Sequence, residues 1–237
     1  GSTALSVHAP RGLAQQGRYA LDSSVRLLDY YNDYFGTAYP LPKLDLIAIS
    51  GSAGFAAMEN WGAILYFDRF LLVDPAVSSA ADRRTIFEFT AHEIAHQWFG
   101  NLVTMEWWDD LWLNEGFAQW MGLKASDLFN PTWNVWLAAA GGRESALTAD
   151  ARSSSHPIVQ AFRSGAEAEL GFDTITYNKG LEVIRMLEDY LGAEVFRDGI
   201  RRYMRQHAYG NARTADLWQA LSSVSGRPVT GIARDFT

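Results

Sequence analysis

Two histidines four positions apart, His92 and His96 in the run Ala91-His92-Glu93-Ile94-Ala95-His96, restrict this chain more than any other stretch. On an α-helix of 3.6 residues per turn, positions four apart lie about 40° apart around the axis, so both imidazoles can point at one metal ion. Glu93 can then sit beside a metal-bound water rather than on the metal, and a third ligand must come from another element. Glu115, nineteen positions beyond His96 with eighteen residues between them, is the candidate. The flanks suit a buried helix: Phe87, Ala91, Ile94 and Trp98 follow the helical period, Ser79 to Asp82 reads as a capping box, and Gly100 stands where a helix would stop. Taken alone, the two histidines are equally compatible with core imidazoles satisfied by hydrogen bonds.

The chain has 237 residues, 48% of them hydrophobic, enough for a sizeable core. A formal charge of −7 without a basic run argues against nucleic acid or an anionic membrane as partner. With no cysteine there is neither a disulfide framework nor a thiolate metal site, so zinc would be held by histidine and carboxylate. No apolar run reaches membrane-span length, so no membrane insertion is expected. No signal peptide is visible, and Gly1-Ser2 reads as the scar of a cleaved tag, leaving a cytoplasmic or a periplasmic or secreted location open.

Residues 16 to 35 have helical periodicity and end at Gly36, whereas 44 to 49 and 63 to 67 read as short strands around a glycine-containing loop at 51 to 54. Asn130-Pro131 supplies an N-cap and first-turn proline for a helix running through about 147, and 148 to 171 reads as an irregular connection bordering a cleft. Helices return at 174 to 191 and 193 to 207, with a last one begun by Thr214. Strands in the first third and helices thereafter predict an α+β domain with the metal helices at the junction. Tryptophans 98, 107, 108, 112 and 120 are expected in the core around those helices. His8, His156 and His207 lack a partner at ligand spacing and read as ordinary polar residues.

The order Ala56-Ala57-Met58-Glu59-Asn60, then HEIAH with eighteen residues before Glu115, then Tyr177-Asn178-Lys179-Gly180, resembles the M1 zinc aminopeptidases. These belong to the gluzincin group, which includes aminopeptidase N and leukotriene A4 hydrolase. The resemblance runs from about Arg11 to Thr237. It implies a thermolysin-like catalytic domain, one zinc per chain on His92, His96 and Glu115, and hydrolysis of the first peptide bond by a zinc-activated water with Glu93 as general base. Tyr177, which by periodicity alone packs on a helix face with Leu181 and Ile184, would by resemblance stabilise the developing oxyanion. Glu59 would hold the free amino group of a peptide, the backbone of Ala56 to Asn60 would pair with the substrate, and Ala57 and Met58 would border its first side-chain pocket. The family has glycine where Ala56 stands, so a positive φ there would be strained.

The family also has a β-domain before the matching region and helical domains after it. The chain is accordingly expected to be the catalytic domain alone over 1 to 237, with a strand-containing part (1 to 75) and a helical part (76 to 237). Apolar surface left uncovered would favour self-association. Two other readings share these motifs: a gluzincin of other specificity, either an endopeptidase or an epoxide hydrolase, and a zinc-bearing peptide-binding module with little or no turnover.

Overall fold

The computed structural model describes residues 3–52 and 55–237. Four strands form the first sheet: β1 (Ala4–His8), β2 (Lys43–Ile49), β3 (Ala57–Met58) and β4 (Ala63–Phe67), in the order β1-β2-β4-β3. The first three neighbours are parallel, with Leu5 opposite Leu44 and Leu46 opposite Ile64, while β3 runs antiparallel along the edge of β4. A parallel pair needs a crossover, and between β1 and β2 it is supplied by α1 (Arg18–Phe35). That helix buries Leu27, Leu28, Tyr31, Tyr34 and Phe35 and ends at Gly36, whose φ of 61° is the left-handed conformation favouring glycine.

The helix α2 (Ala80–Ala95) begins with the expected capping box: Ser79 Oγ accepts the Asp82 N–H at 3.2 Å, and the Asp82 carboxylate accepts the Ser79 N–H at 2.7 Å. Its partner α3 (Trp112–Phe129) carries glycines where neighbouring backbones come closest. A Cβ at Gly122 would lie 3.3 Å from the His92 backbone nitrogen, and one at Gly116 would lie 3.2 Å from the Gly180 carbonyl carbon. These two approaches bring three segments together around α3. Aromatic packing locks the arrangement, with Phe99 stacked on Phe117 at 4.0 Å between centroids and Trp98, Trp112 and Trp120 fully buried.

The remaining helices are α4 (Val135–Ala138), α5 (Ala140–Asp150), α6 (Gly165–Ala168), α7 (Gly180–Leu191), α8 (Ala193–His207), α9 (Thr214–Ser225) and α10 (Val229–Ala233). The fold is α+β, as expected, with several local differences. The helical part is not purely helical: β5 (Val103–Met105) and β6 (Gly210–Ala212) form a parallel two-stranded sheet. Three-residue strands rich in Gly, Asn and Thr carry too little apolar alternation to be visible in sequence. β1 and α10 were likewise not anticipated.

Asn130 makes no side-chain cap; the segment after it is a 3₁₀ turn, broken at Asn134 with φ 49° before α4 and α5. The helix expected from Thr174 opens with a π-helical turn, Ile175–Lys179, before α7. Trp107 is 48% exposed rather than in the core, its indole N–H donating to the Phe162 carbonyl at 2.8 Å. Among the described residues no helix is long and apolar enough to cross a membrane.

Candidate active site

His92 lies in the last turn of α2 and His96 caps its C-terminus, while Glu115 lies in the first turn of α3. The gap between α2 and α3 closes at the Gly122 contact, which brings the three side chains together. The two Nε2 atoms are 3.0 Å apart, and a Glu115 carboxylate oxygen lies 3.5 Å from His92 Nε2 and 3.4 Å from His96 Nε2. A tetrahedral zinc ion with ligand bonds of about 2.0–2.1 Å requires donor separations of roughly 3.3 Å. The triangle therefore has the dimensions of a zinc site. His96 Nδ1 faces the Phe99 carbonyl at 3.0 Å, an arrangement that fixes the ring and directs Nε2 toward the triangle.

Electrostatics agree with this geometry. Burial lowers the pKa of His92, leaving its imidazole available as a neutral ligand. Burial also opposes charge on His96, but the carboxylates of Glu59, Glu115 and Glu93 outweigh it and hold its pKa at about 10. The His96 imidazolium thus balances the surrounding acids, and as a ligand to a cation the ring would have to give up its Nε2 proton. Burial would raise the pKa of Glu115 too, yet the imidazoles of His96 and His92 hold it well below the usual carboxylate range.

Glu93 is 5% exposed, and one of its carboxylate oxygens is buried with no hydrogen-bond partner. Burial raises its pKa well above the ordinary value, with Glu59 and Glu115 adding to the effect. Glu59, just after β3, presents a carboxylate oxygen 4.0 Å from His96 Nδ1. Donor atoms of Glu59, Glu93 and His96 all lie within 4.8 Å of one another, placing a second acidic spot beside the metal triangle.

Tyr177 belongs to the π turn, and its ring lies 6.4 Å from that of His92 with planes 22° apart. Burial, followed by the neighbouring Glu115 carboxylate, pushes its phenol pKa up strongly. Single π turns of this kind are frequent at functional sites.

The remaining expected residues lie on the β3 edge. Ala57 is half-buried, Met58 is 44% exposed, and Asn60 is exposed, its side chain donating only to the Met58 carbonyl at 3.4 Å. Ala56 continues the pairing, its carbonyl accepting the Phe67 N–H at 3.0 Å. Among the described residues, non-glycine positive φ is confined to Asn134 and Tyr209, so the β-carbon of Ala56 introduces no backbone strain.

Three contacts had no sequence signal. Gln97 and Asn101, embedded in an aromatic run, donate to the Glu59 carbonyl at 3.1 and 2.8 Å. His156, expected to be an ordinary polar residue, pairs with Asp173 at 2.7 Å, and Asp173 in turn accepts the N–H groups of Ile175 and Thr176 at 2.9 and 3.1 Å. Long-range pairs of this kind have no fixed spacing along the chain.

Comparison with known proteins gives a consistent picture. Residues 19–236 match the model of the peptidase family M1 domain. Aminopeptidase M1-C of Oryza sativa subsp. japonica is 48% identical over 231 residues, covering 98% of this chain and 26% of its own length. Endoplasmic reticulum aminopeptidase 2 of Bos taurus is 45% identical over 92% of this chain and 23% of its own. Leucyl aminopeptidase of Saccharolobus solfataricus is 44% identical over 95% and 28%. The chain spans about a quarter of the length of these relatives. With the domain match running nearly end to end and identity well above 40%, the chain belongs to peptidase family M1.

Proposed function

We propose that this chain is the catalytic domain of a zinc-dependent aminopeptidase, which removes the first residue from peptides with a free N-terminus. The observation that carries the reading is the convergence of Glu59 and Glu93 beside the His92, His96 and Glu115 triangle. Two carboxylates at one spot favour a cationic group, and a peptide's α-ammonium is the cation nearest its first scissile bond. With that ammonium held, only the first carbonyl reaches the metal position, so cleavage stops after one residue.

His92, His96 and Glu115 would hold one zinc ion. When bound, zinc supplies Lewis-acid polarisation and lowers the pKa of a coordinated water. Glu93 takes a proton from the attacking water and passes it to the leaving nitrogen. The Tyr177 hydroxyl, kept protonated by burial, donates to the carbonyl oxygen as charge develops there. The β3 edge from Ala56 to Asn60 pairs with the substrate backbone, and Ala57 and Met58 border the first side chain. Exposed Leu137, Leu147, Leu170 and Phe172 would support self-association, checked by light scattering.

Elemental analysis together with hydrolysis of aminoacyl amides and their N-acetyl forms tests the reading. One zinc per chain with turnover confined to free amines is the expected result. Equal cleavage of the acetylated forms would point to an endopeptidase.

A further inference from the structure

We propose that Gln97 and Asn101 are positioning residues for the carboxylate of Glu59, an inference that rests on the aminopeptidase reading above. The strand that delivers Glu59 is weakly fixed. β3 is two residues long and pairs with β4 at Ala57 and Met58, with one further bond from the Phe67 N–H to the Ala56 carbonyl, so Glu59 and Asn60 lie beyond its ladder. The chain then turns through Gly62, whose φ is 79°, and re-enters the sheet at Ala63, whose N–H is bonded to the Asn60 carbonyl at 2.9 Å.

Three hydrogen bonds tie this short excursion to the end of the metal-ligand helix. The Glu59 carbonyl accepts from Gln97 Nε2 at 3.1 Å and from Asn101 Nδ2 at 2.8 Å, using both lone pairs. Gln97 Oε1 accepts the Gly62 N–H at 3.2 Å. The partners fix which end of the Gln97 amide is oxygen, since its nitrogen faces a carbonyl and its oxygen faces an N–H.

The donors are themselves anchored to the metal-binding element. Gln97 directly follows His96 and is fully buried. The Asn101 N–H is bonded to the His96 carbonyl at 3.1 Å, and its neighbour Gly100, at φ 124°, allows the turn. A rigid path therefore runs from the His96 backbone through two side-chain amides to the backbone of Glu59. That path sets the separation between the metal position and the carboxylate that takes the substrate amine. Glutamate at 97 or aspartate at 101 would keep the shape but replace a donor by an oxygen facing a carbonyl, which pushes Glu59 away.

The test compares the zinc-loaded wild-type chain with Gln97→Glu, Asn101→Asp and Asn101→Ala. The last deletes one donor without adding charge and so covers the case in which a charged variant fails to fold. Calorimetric binding of L-leucinamide against N-acetyl-L-leucinamide and, where turnover is measurable, KM and kcat for the matching peptides are recorded beside zinc content. The expected result is a wild type that prefers the free amine, and variants that keep one zinc per chain. Asn101→Ala should lose roughly tenfold of that preference, in binding and KM rather than in kcat. Variants retaining both zinc and the full preference would overturn the positioning role alone. A wild type with no preference for the free amine would overturn the aminopeptidase reading, and the positioning role with it.

Discussion

A buried carboxylate oxygen without a partner, such as that of Glu93, costs a folded protein about 1–3 kcal/mol. Glu93→Gln removes the charge that burial opposes and should make the metal-free chain more stable near neutral pH, by about 1 kcal/mol or ~2–4 °C in Tm for a chain of this size. The sign follows from the raised pKa. A carboxyl group whose folded value lies above its unfolded one favours the fold at low pH, and that contribution is lost as pH rises through the folded value. Thermal melts of both forms across pH check this. The same substitution should leave zinc content unchanged and cut turnover by about a hundredfold or more. Zinc loss equal to that of His96→Ala would remove Glu93 from the base role. At the amine end, Glu59→Ala should raise KM for free-amine substrates and narrow the gap to acetylated ones. That His92 and His96 face one point was legible in sequence because helical spacing sets their direction, whereas the clamp made by Gln97 on Glu59 was not, since it bridges 38 positions with no periodic relation.

The π turn that bears Tyr177 depends on Asp173, which accepts two of its N–H groups and the His156 ring. Asp173→Ala should cost about 0.5–2 kcal/mol and lower kcat more than it raises KM, measured by thermal melts and steady-state kinetics. His156 faces oxygen acceptors at both ring nitrogens, the Pro157 carbonyl at 2.8 Å and Asp173 at 2.7 Å, and only the imidazolium can donate to both. Burial works against that charge, but those two acceptors raise its pKa above the ordinary 6.5. The stabilisation is thus fully present below pH 6.5 and is lost as pH rises through the folded value. His156→Ala should flatten that part of the stability profile. A second contact at this scale is the meeting of α3 and α7, where Gly116→Ala would place a Cβ 3.2 Å from the Gly180 backbone. Backbone cannot rotate aside, so a loss of about 1–3 kcal/mol in thermal unfolding is expected. Long helices and their ends were readable from period and caps, as at α1 and Ser79. The π turn was not, because a one-residue insertion leaves the apolar spacing of α7 nearly unchanged.

Across the molecule, the proposed zinc would link the end of α2 to the start of α3 and so add to the stability of the fold. At free zinc a thousand times Kd, the expected stabilisation is about 4 kcal/mol, so a strong chelator should lower Tm by roughly 10 °C. An unchanged melt after metal removal would leave the triangle as a set of core residues. The small sheet has another consequence, for the order in which the chain acquires its structure. β5 and β6 join residues 103–105 to 210–212, and the Trp112 indole donates to Thr214 at 2.8 Å, so the start of α3 is secured by a segment about a hundred positions later. His92, His96 and Glu115 leave the ribosome well before that segment does. During synthesis, a nascent chain can present all its donors to a cation while the element carrying Glu115 still lacks the contacts that orient it.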